Sequence, residues 1–134
     1  MTVIVCTGAR GGMLFLGRRV SRDREIIADI ASLKGRLLCH PFSEKYLRTT
    51  PLTFTVSDRL LEEAAPQDLC FVEHLPLRPH LKEIDRLIIY NFGEAYPYDL
   101  SLDIDPCAEG FHLTEACEIV GHSHKIITKE VYER

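Results

Sequence analysis

Hydrophobic positions in the first ninety residues fall into short dense runs divided by polar turns. "TVIVC" (2–6) is β-branched and stopped by Gly8, as expected of a strand buried on both faces. "GARGGMLFLGRRVS" (8–21) is rich in glycine and arginine and reads as a long loop. Ser21 is the predicted N-cap of a helix with Arg22, Asp23 and Arg24 in its first turn. Ile26, Ile27, Ile30 and Leu33 recur at helical spacing, and Gly35 stops the helix. "RLLC" (36–39) is a second strand, "FSEKYL" (42–47) a short helix after Pro41, and "LTFTV" (52–56) a third strand. "SDRLLEEA" (57–64) is a helical turn capped by Ser57. "LCFVE" (69–73) and "RLIIY" (86–90) are the fourth and fifth strands, joined by "LRPHLKEI" (77–84).

The pattern then changes. "LSLDID" (100–105) alternates apolar and polar residues like a half-exposed strand. "FHLTEACEIV" (111–120) and "KIITKEVYER" (125–134) flank "GHSH" (121–124) as a closing β-hairpin. The sum is one domain, residues 1–134, of three-layer α/β/α class. Its central sheet is mostly parallel and ends in an antiparallel C-terminal hairpin.

Composition narrows the function. The chain has 134 residues, 46% hydrophobic and 27% charged, with a net charge of −4. That balance argues against a nucleic-acid partner, which calls for a basic face. The densest basic stretch, "GRRVSRDR" (17–24), carries an acid inside it and reads as a solvated loop and helix start. The acidic runs "LEEAAPQD" and "SLDIDP" read as solvated surface. No stretch has the length of a membrane span, and the N-terminus lacks the basic leader of a signal peptide. Five cysteines (6, 39, 70, 107 and 117), scattered and without a CxxC pair, suit reduced thiols in a cytoplasmic protein.

The order of elements resembles dihydrofolate reductase. The first strand leads into "GGMLF" (11–15), like that family's mobile loop with its Gly-hydrophobic step, and Asp23 stands where the helix carries a single proton-relay acid. "RLLCHPFSEKYL" aligns without gaps to the family's strand-turn-helix, and "IDRLIIY" resembles the strand that ends beside the catalytic acid. "EAYPYD" is similar to its acidic-x-x-aromatic-proline step, and the tail from Phe111 to Arg134 to its closing hairpin. The resemblance implies catalytic roles for Asp23 and for Tyr90, which falls where the family has a threonine bonded to the acid. An Asp23–Tyr90 contact is therefore expected, with burial raising the acid's pKa. Aspartate in a first helical turn also serves simply as a cap. Cys6, Met13, Phe15, Ile27, Tyr46 and Tyr96 would line the substrate cleft, and Ser43, His40 and His74 would stand at the cofactor site.

Departures from the family concern NADPH. Its phosphates are held there by a glycine-arginine-x-threonine turn and a second, glycine-rich turn. This chain has His40-Pro41-Phe42-Ser43 and Glu73-His74-Leu75 in those places. Proline removes an amide donor, and a carboxylate aimed at a pyrophosphate repels it. The arginine that clamps the folate tail has no match either, since Arg48 in "LRTTPLTF" is out of alignment.

Three functions follow. The first is a diverged reductase-like protein without standard NADPH-dependent reduction and with no cofactor, which binds a small pterin-like or other heteroaromatic molecule near Asp23. An emptied cofactor cleft or an open sheet edge would offer it a homodimer surface. The second is an active NADP-dependent reductase whose phosphate site is rebuilt around His40 and His74. The third is a metal-dependent hydrolase resembling ribonuclease Z, suggested by His122-Ser123-His124. In that family an aspartate and a histidine continue the motif, whereas Lys125-Ile126-Ile127 follow here. The hairpin turn is expected at the surface, remote from Asp23, with no metal.

Overall fold

The computed structural model describes residues 1–134. Ten strands and three α-helices run in the order β1 (Thr2–Thr7), β2 (Gly12–Phe15), β3 (Arg18–Arg19), α1 (Arg24–Ala31), β4 (Leu37–Cys39), α2 (Pro41–Leu47), β5 (Thr55–Val56), α3 (Leu60–Glu63), β6 (Leu69–Phe71), β7 (Arg86–Asn91), β8 (Leu100–Ser101), β9 (His112–Val120) and β10 (Ile126–Glu133). Two 3₁₀ turns, Arg78–Glu83 and Cys107–Glu109, complete the set.

Seven strands form one sheet in the order β5-β4-β6-β1-β7-β10-β9. The pairs among β5, β4, β6, β1 and β7 are parallel, and β10 runs antiparallel to both β7 and β9. β1 sits at the centre because Val3, Ile4 and Val5 must all leave water, and each is fully buried. Side chains alternate across it: Val3 and Val5 join one apolar cluster, Ile4 the other. The Ile4 face is covered by α1, through Ile26, Ile27 and Ile30, and by α2, through Leu47. The Val3 face is covered by α3, through Leu60 and Leu61, and by Leu77, Ile84 and Phe111 beside the two 3₁₀ turns. The expected three layers and the parallel-to-antiparallel change are both present. At the outer edge, β9 is exposed along nearly its whole length. No helix is long and apolar enough to cross a membrane.

Local expectations needed correction in six places. The stretch 8–21 contains a hairpin, β2–β3, closed by Leu16 and Gly17 at φ 51° and 75°. Two positive φ values suit a two-residue hairpin turn, but leucine rarely supplies the first. "LTFTV" pairs only at Thr55 and Val56, and "LSLDID" only at Leu100 and Ser101, where it joins β2 in a separate three-stranded sheet. The cap of α1 is Asp23, whose extended backbone (φ −151°, ψ 133°) sends its carboxylate to the Glu25 amide; Ser21 lies outside the helix. The Ser57 hydroxyl accepts from the Arg59 amide, so it organises the turn before α3 without being its cap. "LEEAAPQD" is not wholly solvated: Asp68 is buried and ion-paired with Arg36 at 2.7 Å.

Candidate functional site

Asp23 is buried, and four donors surround its carboxylate. Oδ1 accepts from the amides of Glu25 and His122, both at 2.9 Å. Oδ2 accepts from the Ser123 amide at 2.8 Å and faces His124 Nδ1 at 2.9 Å. Burial alone would raise the acid. The hydrogen bonds from the His122 amide, the His124 ring and the Glu25 and Ser123 amides outweigh it and hold the carboxyl well below the usual range. The expected raised acid is therefore replaced by a fixed carboxylate, unsuited to relaying a proton near neutrality.

The closing hairpin supplies three of those four donors, so "GHSH" docks onto Asp23, against the expectation that it lies remote from it. His124 is almost wholly buried, with its ring against Phe92 at 4.7 Å between centroids. Its Nε2 lies 2.8 Å from Ser21 Oγ and 3.1 Å from the Tyr96 hydroxyl. With both ring nitrogens engaged, Nδ1–H donates to Asp23 and Nε2 accepts from a hydroxyl. Nowhere do three or more His, Cys, Asp or Glu side chains gather as a metal site, so the histidine pair has no third ligand.

Tyr90 does not reach Asp23. Its fully buried hydroxyl donates to Asp29 Oδ2 at 2.5 Å, one and a half turns further along α1. Burial, then the bond to Asp29, pushes the phenol up. The Lys129 ammonium, 2.9 Å from the same Asp29 oxygen, balances the charge. The pairing fails for a geometric reason. Asp23 caps the helix from outside its first turn and points at the hairpin, while the helix face over β7 presents Asp29.

The two segments that stand where the resemblance places cofactor phosphates do lie side by side, at the ends of the neighbouring strands β4 and β6. They engage each other. Glu73, buried, takes two hydrogen bonds from the Arg19 guanidinium at 2.7 and 3.0 Å, and a third from the fully buried Ser43 hydroxyl at 2.7 Å. Arg19 also covers the Tyr46 ring at 4.3 Å. His40 caps α2 through Nδ1, which accepts from the Phe42 amide at 2.9 Å. His74 is wedged between His40 and Phe42, with centroids at 4.5 and 4.4 Å. Burial, then the neighbouring His40, lowers its pKa, so it is a neutral ring.

Of the expected cleft residues, Cys6, Met13, Ile27 and Tyr46 do share one cavity with Asp23, walled also by Arg19 and Glu73. Its volume is about 10 Å³, room for one water at most. Phe15 is 40% exposed on the β2–β3 hairpin and stands outside it. Tyr96 faces His124 instead. The open space lies on the outer side, in a groove of about 700 Å³ between α1, α2 and the closing hairpin, bordered by Arg22, Arg24, Tyr46, Thr49 and His122. Sequence reasoning missed Arg19 as the partner of Glu73, and Ser21 and His124 as partners across the chain. Arg19 lay in a stretch with no strand signal. The one available hint was Glu73 itself, a lone carboxylate at the end of an apolar run.

The whole chain superposes on the dihydrofolate reductase of Enterococcus faecalis, solved as a complex with NADP(H) and RAB-propyl. The TM-score is 0.71 over 99% of this chain and 95% of that one. The chain has a dihydrofolate reductase-like fold. Sequence identity across that superposition is 11%, so the similarity lies in the arrangement of the backbone. No protein-family model and no curated protein sequence matches the chain.

Proposed function

We propose that this chain uses the dihydrofolate reductase-like fold without NADPH-dependent reduction, and that it binds a small heteroaromatic molecule in the groove beside Asp23. One observation carries the first half: Glu73, clamped by Arg19 and Ser43, occupies the ground between the β4 and β6 ends. A phosphate entering there would meet a carboxylate at close range, without the amide donors of a glycine turn. The residues at this position do not fit the cofactor. The rebuilt-site alternative needs cationic histidines, yet His40 Nδ1 is already an acceptor for an amide and His74 is held neutral. The second half draws on the groove's lining, in which the Tyr46 ring and the guanidinium groups of Arg22 and Arg24 suit a planar ligand bearing an acid.

Calorimetric titration with NADPH and, separately, with folate tests both halves. The expected result is no heat with NADPH and saturable binding of folate, weakened by Arg22→Ala. Micromolar NADPH binding, with oxidation of NADPH by dihydrofolate, would overturn the reading.

A further inference from the structure

Ser21, His124 and Asp23 stand in a line of hydrogen bonds: Oγ to Nε2 at 2.8 Å, then Nδ1 to Oδ2 at 2.9 Å. Serine, histidine and buried aspartate in this sequence of contacts are the parts of a nucleophilic triad, which unrelated folds have assembled in different chain orders. The aspartate is fully enclosed and fixed as a carboxylate by three main-chain amides. It therefore sets the tautomer of His124, with the proton on Nδ1 and the lone pair on Nε2 directed at the Ser21 hydroxyl. A clamp between hairpin and helix would need only the Asp23–amide bonds. The serine at the far end of the imidazole is what a clamp leaves unexplained.

We infer that Ser21 is an acyl-accepting nucleophile, with His124 as its general base and Asp23 as the residue that orients it, acting on small carboxylic esters that carry an anionic group. The Ser21 oxygen would add to the ester carbonyl carbon while its proton moves to His124 Nε2. Collapse breaks the bond from carbonyl carbon to leaving oxygen, and His124 returns the proton to that oxygen, releasing the alcohol. Water repeats the sequence on the acyl-serine: its proton passes through His124 to Ser21, and the acid departs. Donors for the transient oxyanion are at hand. The main-chain N–H groups of Ser21 and Arg22 have no acceptor within the protein. The Tyr96 hydroxyl, raised by burial and so still protonated, stands beside the same His124 nitrogen.

The substrate class follows from the surroundings. Ser21 is partly exposed and borders an open hollow of about 380 Å³ shared with Gly17, Arg18, Arg19 and Arg22. Arg19 is held by Glu73, but Arg18 and Arg22 are exposed and make no ion pair. A neutral ester would find no use for two free guanidinium groups; a half-ester of a dicarboxylic acid or a phosphorylated ester would.

The test uses the full chain and a fluorophosphonate serine probe, read by intact mass and peptide mapping, together with hydrolysis of 4-nitrophenyl hydrogen succinate and 4-nitrophenyl acetate. The expected result is a single adduct on Ser21 and faster turnover of the succinate ester. Ser21→Ala should abolish the adduct and lower turnover about a hundredfold or more, and Arg22→Gln should erase the preference for the anionic ester. An adduct on another serine, no adduct on the wild-type chain, or turnover unchanged in Ser21→Ala would overturn the proposal. His124→Gln, if it folds by circular dichroism, should behave as Ser21→Ala does. If it does not fold, the mapped position on the wild-type chain decides alone.

Discussion

The carboxylate of Asp23 and the imidazole of His124, 101 positions apart, meet at 2.9 Å and join the N-cap of α1 to the closing hairpin. This contact and the two hairpin amides on the same carboxylate tie α1 to the last two strands. Asp23→Asn keeps the shape but removes the charge and turns two acceptor sites into donors facing N–H groups. Loss of stability on the order of 3 kcal/mol is expected in urea unfolding.

The same site predicts the acid response. The folded carboxyl of Asp23 is held below its unfolded value of about 3.9. Its contribution is therefore complete above that pH and fades as pH falls toward the folded value. Wild-type stability should drop steeply below about pH 4, and Asp23→Asn should flatten that part of the profile. A slope unchanged in the variant would show that other carboxylates, such as Asp68 beside Arg36, control acid unfolding.

Glu73 offers a second test, because it holds the Arg19 guanidinium and the Ser43 hydroxyl together. Glu73→Ala leaves a buried hydroxyl without its acceptor and an arginine without its partner. A stability loss of about 3 kcal/mol is expected. The freed Arg19 should give the variant weak binding of inorganic phosphate or NADPH, absent in the wild type, by calorimetry. If the destabilised but folded variant gains no anion affinity, the Glu73 side chain is not what keeps phosphates out.

The five thiols divide by position. Cys107 and Cys117 are exposed, whereas Cys39 and Cys70 are buried on the two faces of the sheet and Cys6 lies against the small cavity. Burial, followed by nearby carboxylates, pushes Cys39 up to about 11 and Cys70 up to about 12, and raises Cys6 as well. A chromogenic aromatic disulfide should titrate two thiols quickly and the other three roughly a hundredfold more slowly, or only in urea. Rapid reaction of a third would mark local opening beside β1.

How much of this was legible in the sequence follows from how local each signal is. β1, β4, β6, β7 and the closing hairpin were readable because parallel core strands must be continuous apolar runs and antiparallel ones alternate. β3 was not, because Arg18 and Arg19 pair through their backbone on a surface hairpin whose turn puts Leu16 at positive φ. Asp23 was found, but the direction of its pKa shift was not. Whether a buried carboxylate is raised or lowered depends on its donors, and three of these come from residues 122–124, whose approach no spacing near Asp23 encodes. The absence of glycine from residues 40–43 and 73–75 was visible directly. That Glu73 would be neutralised by Arg19 was not, since the pair is 54 residues apart and Arg19 lies in a stretch without a strand pattern.

Gly121 controls how closely the hairpin can approach. A β-carbon added there would press into the His124 carbonyl and come within 2.9 Å of Asp23 Oδ2. Its backbone φ needs no glycine, so the requirement is for space alone. The obstacles are a main-chain carbonyl and a carboxylate fixed by four donors, neither of which can swing aside. In Gly121→Ala the turn must lift, lengthening the His122 and Ser123 amide bonds to Asp23 and the His124 contact together. The expected cost is on the order of 2 kcal/mol, with the acid transition assigned to Asp23 shifted to higher pH as the carboxyl returns toward its ordinary value. Val120→Ala, at a neighbouring side chain that is 74% exposed, should change stability by less than about 0.5 kcal/mol. Equal effects from the two would mean that the turn is held by the β9–β10 ladder and not by Asp23.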